Sequence, residues 1–294
     1  MSVYNINGVR IDAGTDSPNY DWSNKKIVFE GDSITANTTI GYPAYVASSL
    51  GATADVIAIA GVPVMGSYPG ENWDFRRRVS HISHDADAIV ILGDTNSITS
   101  TDSDLFSTSA SDWTGRWNLA LQAIKESFPT VPLFLVSCFR QGGKENNAKY
   151  VSYAFQRFAE HWGLLYIDLA TESSLNLMAS SSVWGLTATD MVHPSHSAMP
   201  LYADIILSHI RKTPPYAFSG VDTISISETL SVATNSTAEI STTITGDLSV
   251  QWTSSNYNVA CVMGGVVYGM SAGTATITAT TRNGHAATCA VTVT

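Results

Sequence analysis

Five short apolar runs separated by stretches of helical periodicity occupy the first two thirds of this chain, and that alternation restricts it to few folds. The runs fall at 27–29, 56–60, 88–92, 131–136 and 164–169. Between them, 42–50, 72–81, 113–128 and 148–162 repeat apolar residues at helical intervals, and 197–210 closes the series. Strand and helix in this rhythm predict an α/β domain, a doubly wound parallel five-stranded sheet covered on both faces. Lys212-Thr213-Pro214-Pro215 then stops the last helix, and the helical period is gone from Val221 onward. Short Thr/Val/Ile runs with turn signals at Thr245-Gly246-Asp247, Gly264-Gly265 and Asn283-Gly284 predict a small all-β sandwich. Asn283-Gly284 is the strongest of these signals and predicts a type I′ hairpin. The expected divisions are a polar lead over 1–23, an α/β domain over 24–212, a Pro-rich linker over 213–220 and a β domain over 221–294.

The first strand stops abruptly at Gly31-Asp32-Ser33. A serine at the C-terminal end of the first strand of a parallel sheet stands where such sheets bind ligands. It is also where a residue serves merely as a helix N-cap. The second candidate segment is Asp190-Met191-Val192-His193-Pro194. A serine hydroxyl needs a base to take its proton, and that base needs a third group to hold its tautomer. Asp190 and His193 can meet on one tight turn, leaving the far imidazole nitrogen for Ser33.

These segments, in this order, resemble the SGNH (GDSL) hydrolase family. Its blocks are matched by Gly31-Asp32-Ser33-Ile34-Thr35, Gly61, Gly93-Asp94-Thr95-Asn96 and Asp190-Met191-Val192-His193-Pro194. The resemblance spans 24–212 and implies a flavodoxin-like sheet and carboxylic ester hydrolysis. It implies Ser33 as nucleophile, His193 as general base, Asp190 as its orienting group, and an oxyanion hole of the Ser33 and Gly61 amides with an Asn side chain. The family's Gly-x-Asn is Gly-x-x-Asn here; Asn96 is the expected donor, because an ionised Asp94 would repel an oxyanion. Gly66 is the fallback for Gly61, and Asp32 and Arg140 are weaker candidates for substrate contact. Residues 251–278, with Gln251-Trp252-Thr253 and Ala272-Gly273-Thr274, resemble a group 2 bacterial immunoglobulin-like domain, which implies a spacer or adhesion role on a bacterial surface or phage tail.

The formal net charge is −10; residues 1–219 carry 14 basic and 21 acidic side chains, and 220–294 carry one and four. Neither part offers a basic face for nucleic acid. No apolar run is long enough to span a membrane. With only 14% charged residues, the expected partner is neutral and polar, an acylated carbohydrate or cell-surface glycan, and a homo-oligomer is compatible with the sequence. The start, Met1 to Gly8, lacks a basic n-region and an apolar h-region, so an extracellular or virion-associated location would be reached without a Sec signal. Asp190 with His193 and His196, and His81 with His84 and Asp85, have metal-ligand residue types. No metal and no cofactor is expected, because surface histidines at helix ends are the commoner case. Arg76-Arg77-Arg78 reads as a solvated helix face, and Cys261 and Cys289 could pair. Two other functions fit: a lipase or thioesterase, and a non-catalytic glycan-binding adhesin.

Overall fold

The computed structural model describes residues 3–6, 9–12, 19–36, 41–96, 104–138, 145–172, 193–195, 198–218 and 220–294. Within the lead, β1 (Val3–Ile6) and β2 (Val9–Asp12) pair as an antiparallel hairpin. The lead's end is tied to the fold. Trp22 is buried and donates its indole N–H to the Ile210 carbonyl at 3.1 Å.

Strands β3 (Lys26–Gly31), β4 (Thr53–Val56), β5 (Ala88–Gly93), β6 (Leu133–Ser137) and β7 (Leu165–Asp168) form a parallel sheet in the order β4-β3-β5-β6-β7. This is the doubly wound sheet expected. Helices α1 (Tyr42–Leu50), α2 (Phe75–Ser80), α3 (Trp113–Ser127), α4 (Glu145–Trp162), α5 (Leu169–Glu172) and α6 (Met199–Arg211) flank it. Alternate strand residues face opposite layers, as the two-residue period requires. Val28, Ile89, Ile91 and Leu135 pack with Phe75, Trp117 and Phe155 on one side. Ile27, Phe29, Val90 and Val136 pack with Val46, Tyr202 and Ile206 on the other.

The second strand lies earlier than expected, at 53–56 rather than 56–60. It is the edge strand and half-exposed, so its polar Thr53 and Asp55 are tolerated. The apolar run after it follows β3 through Ile57 N–H to Phe29 O and Ile59 N–H to Gly31 O, and Ile57 packs against the core.

The C-terminal part is all-β. Strands β8 (Thr223–Ile226) and β11 (Thr242–Thr245) pair; β9 (Thr229–Val232), β12 (Val250–Ser254), β15 (Gly273–Thr281) and β16 (Ala286–Val293) form one sheet; β10 (Thr237–Glu239), β13 (Ala260–Met263) and β14 (Val266–Gly269) form another. Trp252, Val262, Ile277 and Val291 fill the space between. The β15–β16 connection is not type I′. Gly284 alone takes a left-handed conformation there (φ 84°), and Thr281 N–H bonds the His285 carbonyl at 2.9 Å. That is a three-residue loop closed by a left-handed glycine, the next commonest hairpin solution. Cys261 and Cys289 are buried free thiols.

The arginine run is not a solvated face. Arg78 is 1% exposed. The Arg76 guanidinium lies over Phe75 and Tyr268, and that of Arg77 over Tyr257. The β domain covers α2, which local sequence could not indicate. Among the described residues, no helix is long and apolar enough to cross a membrane.

Candidate active site

In this strand order the connections after β3 and β5 leave in opposite directions, which opens a crevice at the C-terminal ends of these two neighbours. Ser33 follows β3, and Thr95 and Asn96 follow β5. The turn at 32–36 is closed by Thr35 and Ala36 N–H groups on the Asp32 carbonyl. Gly31 is required here, because a Cβ would stand 2.1 Å from Thr35 Oγ1 and 3.0 Å from the Leu92 carbonyl.

Ser33 does not cap a helix. Its Oγ lies 2.7 Å from His193 Nε2, across 160 residues of sequence. In the tautomer protonated at Nδ1, the imidazole accepts the hydroxyl proton, which is the arrangement that activates a serine. Asp190, Arg140 and His196 lie outside the described residues.

Asp32 is fully buried, so it is not the substrate contact expected of it. Its Oδ1 accepts from Ile34 N at 3.0 Å, and its Oδ2 accepts from Thr95 N at 3.1 Å and from the Thr95 hydroxyl. Burial pushes its carboxyl above the usual range, the Thr95 and Ile34 hydrogen bonds oppose that, and nearby Asp94 adds to the rise. Asp32 therefore joins the loop after β3 to the loop after β5.

Asp94, the extra residue in the third block, is also buried and points away from solvent. Its Oδ1 accepts from Val64 N at 3.4 Å and its Oδ2 from Trp113 Nε1 at 3.1 Å. The chain thus absorbs the longer spacing by turning this carboxylate inward. Asn96 remains exposed, with Nδ2 donating to the Val62 carbonyl at 3.3 Å. Gly61 has φ 80°, and a Cβ there would meet open space. Its left-handed backbone, not crowding, calls for glycine. Gly66 is buried under Tyr68.

A cleft of about 440 Å³ adjoins these loops, lined by Pro63, Ser67, Tyr68, Asn96, Ser111 and Arg116, among others. Tyr68 is 43% exposed and stands edge-on to Trp73. No three His, Cys, Asp or Glu among the described residues converge as a metal site would require. His84 Nδ1 lies 3.0 Å from the Arg282 carbonyl, and Asp85 pairs with Lys26.

Sequence reasoning missed Thr95, Glu30 and Arg78. Glu30, on β3, is 2% exposed and forms an ion pair with Arg78. A charge inside an apolar strand run was the available signal, since a buried carboxylate needs a partner.

The sheet order β4-β3-β5-β6-β7 with helices on both faces is a doubly wound, flavodoxin-like architecture. Solved structures similar to this chain include a protein from Lactobacillus plantarum, 20% identical, covering 64% of this chain and 97% of that one, with a TM-score of 0.57. A possible lipase from Chitinophaga pinensis, 12% identical, covers 64% of this chain and 98% of that one, with a TM-score of 0.50. A looser likeness, with a TM-score of 0.46 and 20% identity over 66% of this chain and 98% of the other, is to an acetyl xylan esterase from Geobacillus stearothermophilus. Residues 221–291 match the bacterial Ig-like domain (group 2). No curated protein matches this chain in sequence. The crevice at the strand ends and the paired Ser33 and His193 coincide in space.

Proposed function

We propose that this chain is a serine-dependent carboxylic ester hydrolase that removes O-acetyl groups from a carbohydrate. The observation that carries the reading is the 2.7 Å approach of Ser33 Oγ to His193 Nε2 at the strand ends. In the reaction, Ser33 Oγ bonds to the ester carbonyl carbon as its proton passes to His193 Nε2. Asp190 holds the imidazole and balances the charge it acquires. The oxyanion is met by the Ser33 and Gly61 amides and by Asn96 Nδ2, donors whose worth grows as charge develops. Collapse expels the sugar alkoxide, which takes the proton from His193. Water then attacks the acyl-serine as His193 takes its proton; the C–Oγ bond breaks, His193 returns that proton to Ser33 Oγ, and acetic acid leaves and ionises to acetate.

The carbohydrate half rests on the cleft beside Asn96. Its lining carries Ser67, Ser111, Asn96 and Arg116, with the exposed Tyr68 ring for a sugar face. Such a wall suits a hydroxylated alcohol better than a long acyl chain. A bacterial surface or virion, where acylated glycan is met, is the setting that fits the Ig-like domain. The test is hydrolysis of p-nitrophenyl esters and of acetylated oligosaccharides by wild type and Ser33→Ala, with and without EDTA. Acetate release that disappears in Ser33→Ala, ignores EDTA and declines with acyl length is expected. Activity surviving Ser33→Ala would overturn the nucleophile. A preference for long acyl chains would replace the sugar with a lipid, and inactivity on every ester would leave a glycan-binding protein.

A further inference from the structure

Arg78 of α2 lies beneath the crevice and touches both loops that flank it. Its Nη2 donates to the Gly31 carbonyl and to Glu30 Oε1, and its Nη1 donates to the Pro63 carbonyl at 3.2 Å. Glu30 Oε1 also accepts from Gly31 N at 2.9 Å. One buried cation thus fastens the chain two residues before Ser33 to the chain two residues after Gly61. These are the loops assigned above to the nucleophile and to the oxyanion amides.

Helix α2 has only six residues, too few to hold a buried arginine in place by itself. Its outer face is gripped by the Ig-like domain. The Arg77 guanidinium lies 4.7 Å from the Tyr257 ring centre, and that of Arg76 lies 5.2 Å from Tyr268. Ser80 Oγ is 2.8 Å from Tyr257 Oη, and Gln251 Nε2 donates to the Ser80 carbonyl at 3.1 Å. Met263 of β13 is buried in the α/β domain's own core, beside Phe75 and Val79. All four residues of β13 are buried, since one face closes the sandwich and the other lies on the α/β domain.

We infer that the Ig-like domain is a positioning element of the hydrolase: it clamps α2, and Arg78 on α2 locks the Ser33 loop to the Gly61 loop. Arg78 and Tyr257 are positioning residues that touch no substrate. The inference rests on Ser33 and Gly61 having the roles proposed above, and it goes beyond them by giving the second domain a part in turnover.

The test uses the full chain with Arg78→Lys, Tyr257→Ala and the double variant. Steady-state p-nitrophenyl acetate kinetics are read beside amide hydrogen exchange of 31–34 and 61–64. Arg78→Lys is expected to lower kcat at least ~10-fold with KM within about twofold, because displaced donors cost the transition state and not binding. Tyr257→Ala is expected to lower kcat about threefold or more, and the double variant less than the product, as coupled residues do. Exchange in both loops should quicken in each variant. A folded Arg78→Lys or Tyr257→Ala protein with wild-type kcat and exchange would overturn the clamp, as would fully multiplicative effects. If Arg78→Lys does not fold, Tyr257→Ala decides by the same two readouts. Fluorophosphonate labelling of wild type separates the failures. No labelling of Ser33 sinks the nucleophile reading, whereas loop exchange judges the clamp whether or not the protein turns over ester.

Discussion

Arg282, in the turn between β15 and β16, donates from Nη2 to Asp87 Oδ1 at 2.5 Å, joining the Ig-like domain to the entrance of strand β5. The same guanidinium donates to the Ala86 carbonyl at 2.6 Å and lies over the Tyr216 ring. Asp87 in turn accepts from Lys26 N at 2.8 Å, at the start of β3. Both side chains are largely withdrawn from water, at 13% and 8% exposure. Without Arg282, Asp87 keeps the Lys26 amide and a longer contact with Lys25 Nζ at 3.6 Å. Arg282→Ala should therefore lower the unfolding free energy by about 2 kcal/mol, the scale of a lost hydrogen bond to a charged group. Urea denaturation at neutral pH measures this, and a change below about 0.5 kcal/mol, typical of an exposed pair, would contradict it.

Gly31→Ala tests the turn that presents Ser33. The added methyl would stand 2.1 Å from Thr35 Oγ1 and 3.0 Å from the Leu92 carbonyl, and the Leu92 backbone in the centre of the sheet cannot retreat. Overpacking of this kind costs roughly 1–3 kcal/mol. A melting temperature below wild type together with reduced esterase turnover is expected. A variant that is fully stable and fully active would show that the turn relaxes freely.

Much of this site is legible from residue order. The apolar run before Gly31-Asp32-Ser33 and the distant His193 meet because a parallel sheet gathers its strand ends on one rim. The inward turn of Asp94 was not legible, since its partners Val64 and Trp113 sit on other segments. The Arg76–Arg78 run misled for a similar reason: Arg76 and Arg77 lie against rings of a domain far later in the chain, and Arg78 is buried against the Gly31 and Pro63 carbonyls of distant loops. Its counterpart did leave a trace in Val259-Ala260-Cys261-Val262-Met263. An unbroken apolar run, unlike the alternation in β15, marks a strand covered on both faces. The edge strand β4 lay earlier than its most apolar residues because half-exposed edges do not demand them.

Glu30 sets a pH dependence of stability. Burial pushes its carboxyl up to about 7, although Arg78 and the Gly31 amide pull it down, and neighbouring Asp32 adds to the rise. Between the ordinary carboxyl value near 4.5 and about 7, the folded chain holds this proton while the unfolded chain has lost it. Its contribution to stability is therefore complete below 4.5, is lost as pH rises through about 7, and stays lost above. Asp32, also raised, acts in the same direction. Urea midpoints from pH 4.5 to 8 for wild type and Glu30→Gln isolate the effect. The stability difference, wild type minus variant, should fall across that window; a flat difference would mean that Glu30 ionises normally.

Asn96 is the proposed oxyanion donor on which the lengthened third block bears most directly, and its geometry makes a sharp prediction. One of its two amide hydrogens is engaged by the Val62 carbonyl at 3.3 Å, which aims the side chain across the Gly61 loop. The other is free to meet an oxyanion in the crevice. Asn96 is exposed, so Asn96→Ala should cost little stability. Loss of an oxyanion donor lowers kcat by about 10²–10³ and leaves KM nearly unchanged. Asn96→Asp should be slower still than Asn96→Ala at neutral pH, because a carboxylate in that position opposes the developing negative charge. Equal rates for wild type and Asn96→Ala would remove Asn96 from the oxyanion hole and leave the Ser33 and Gly61 amides as its donors.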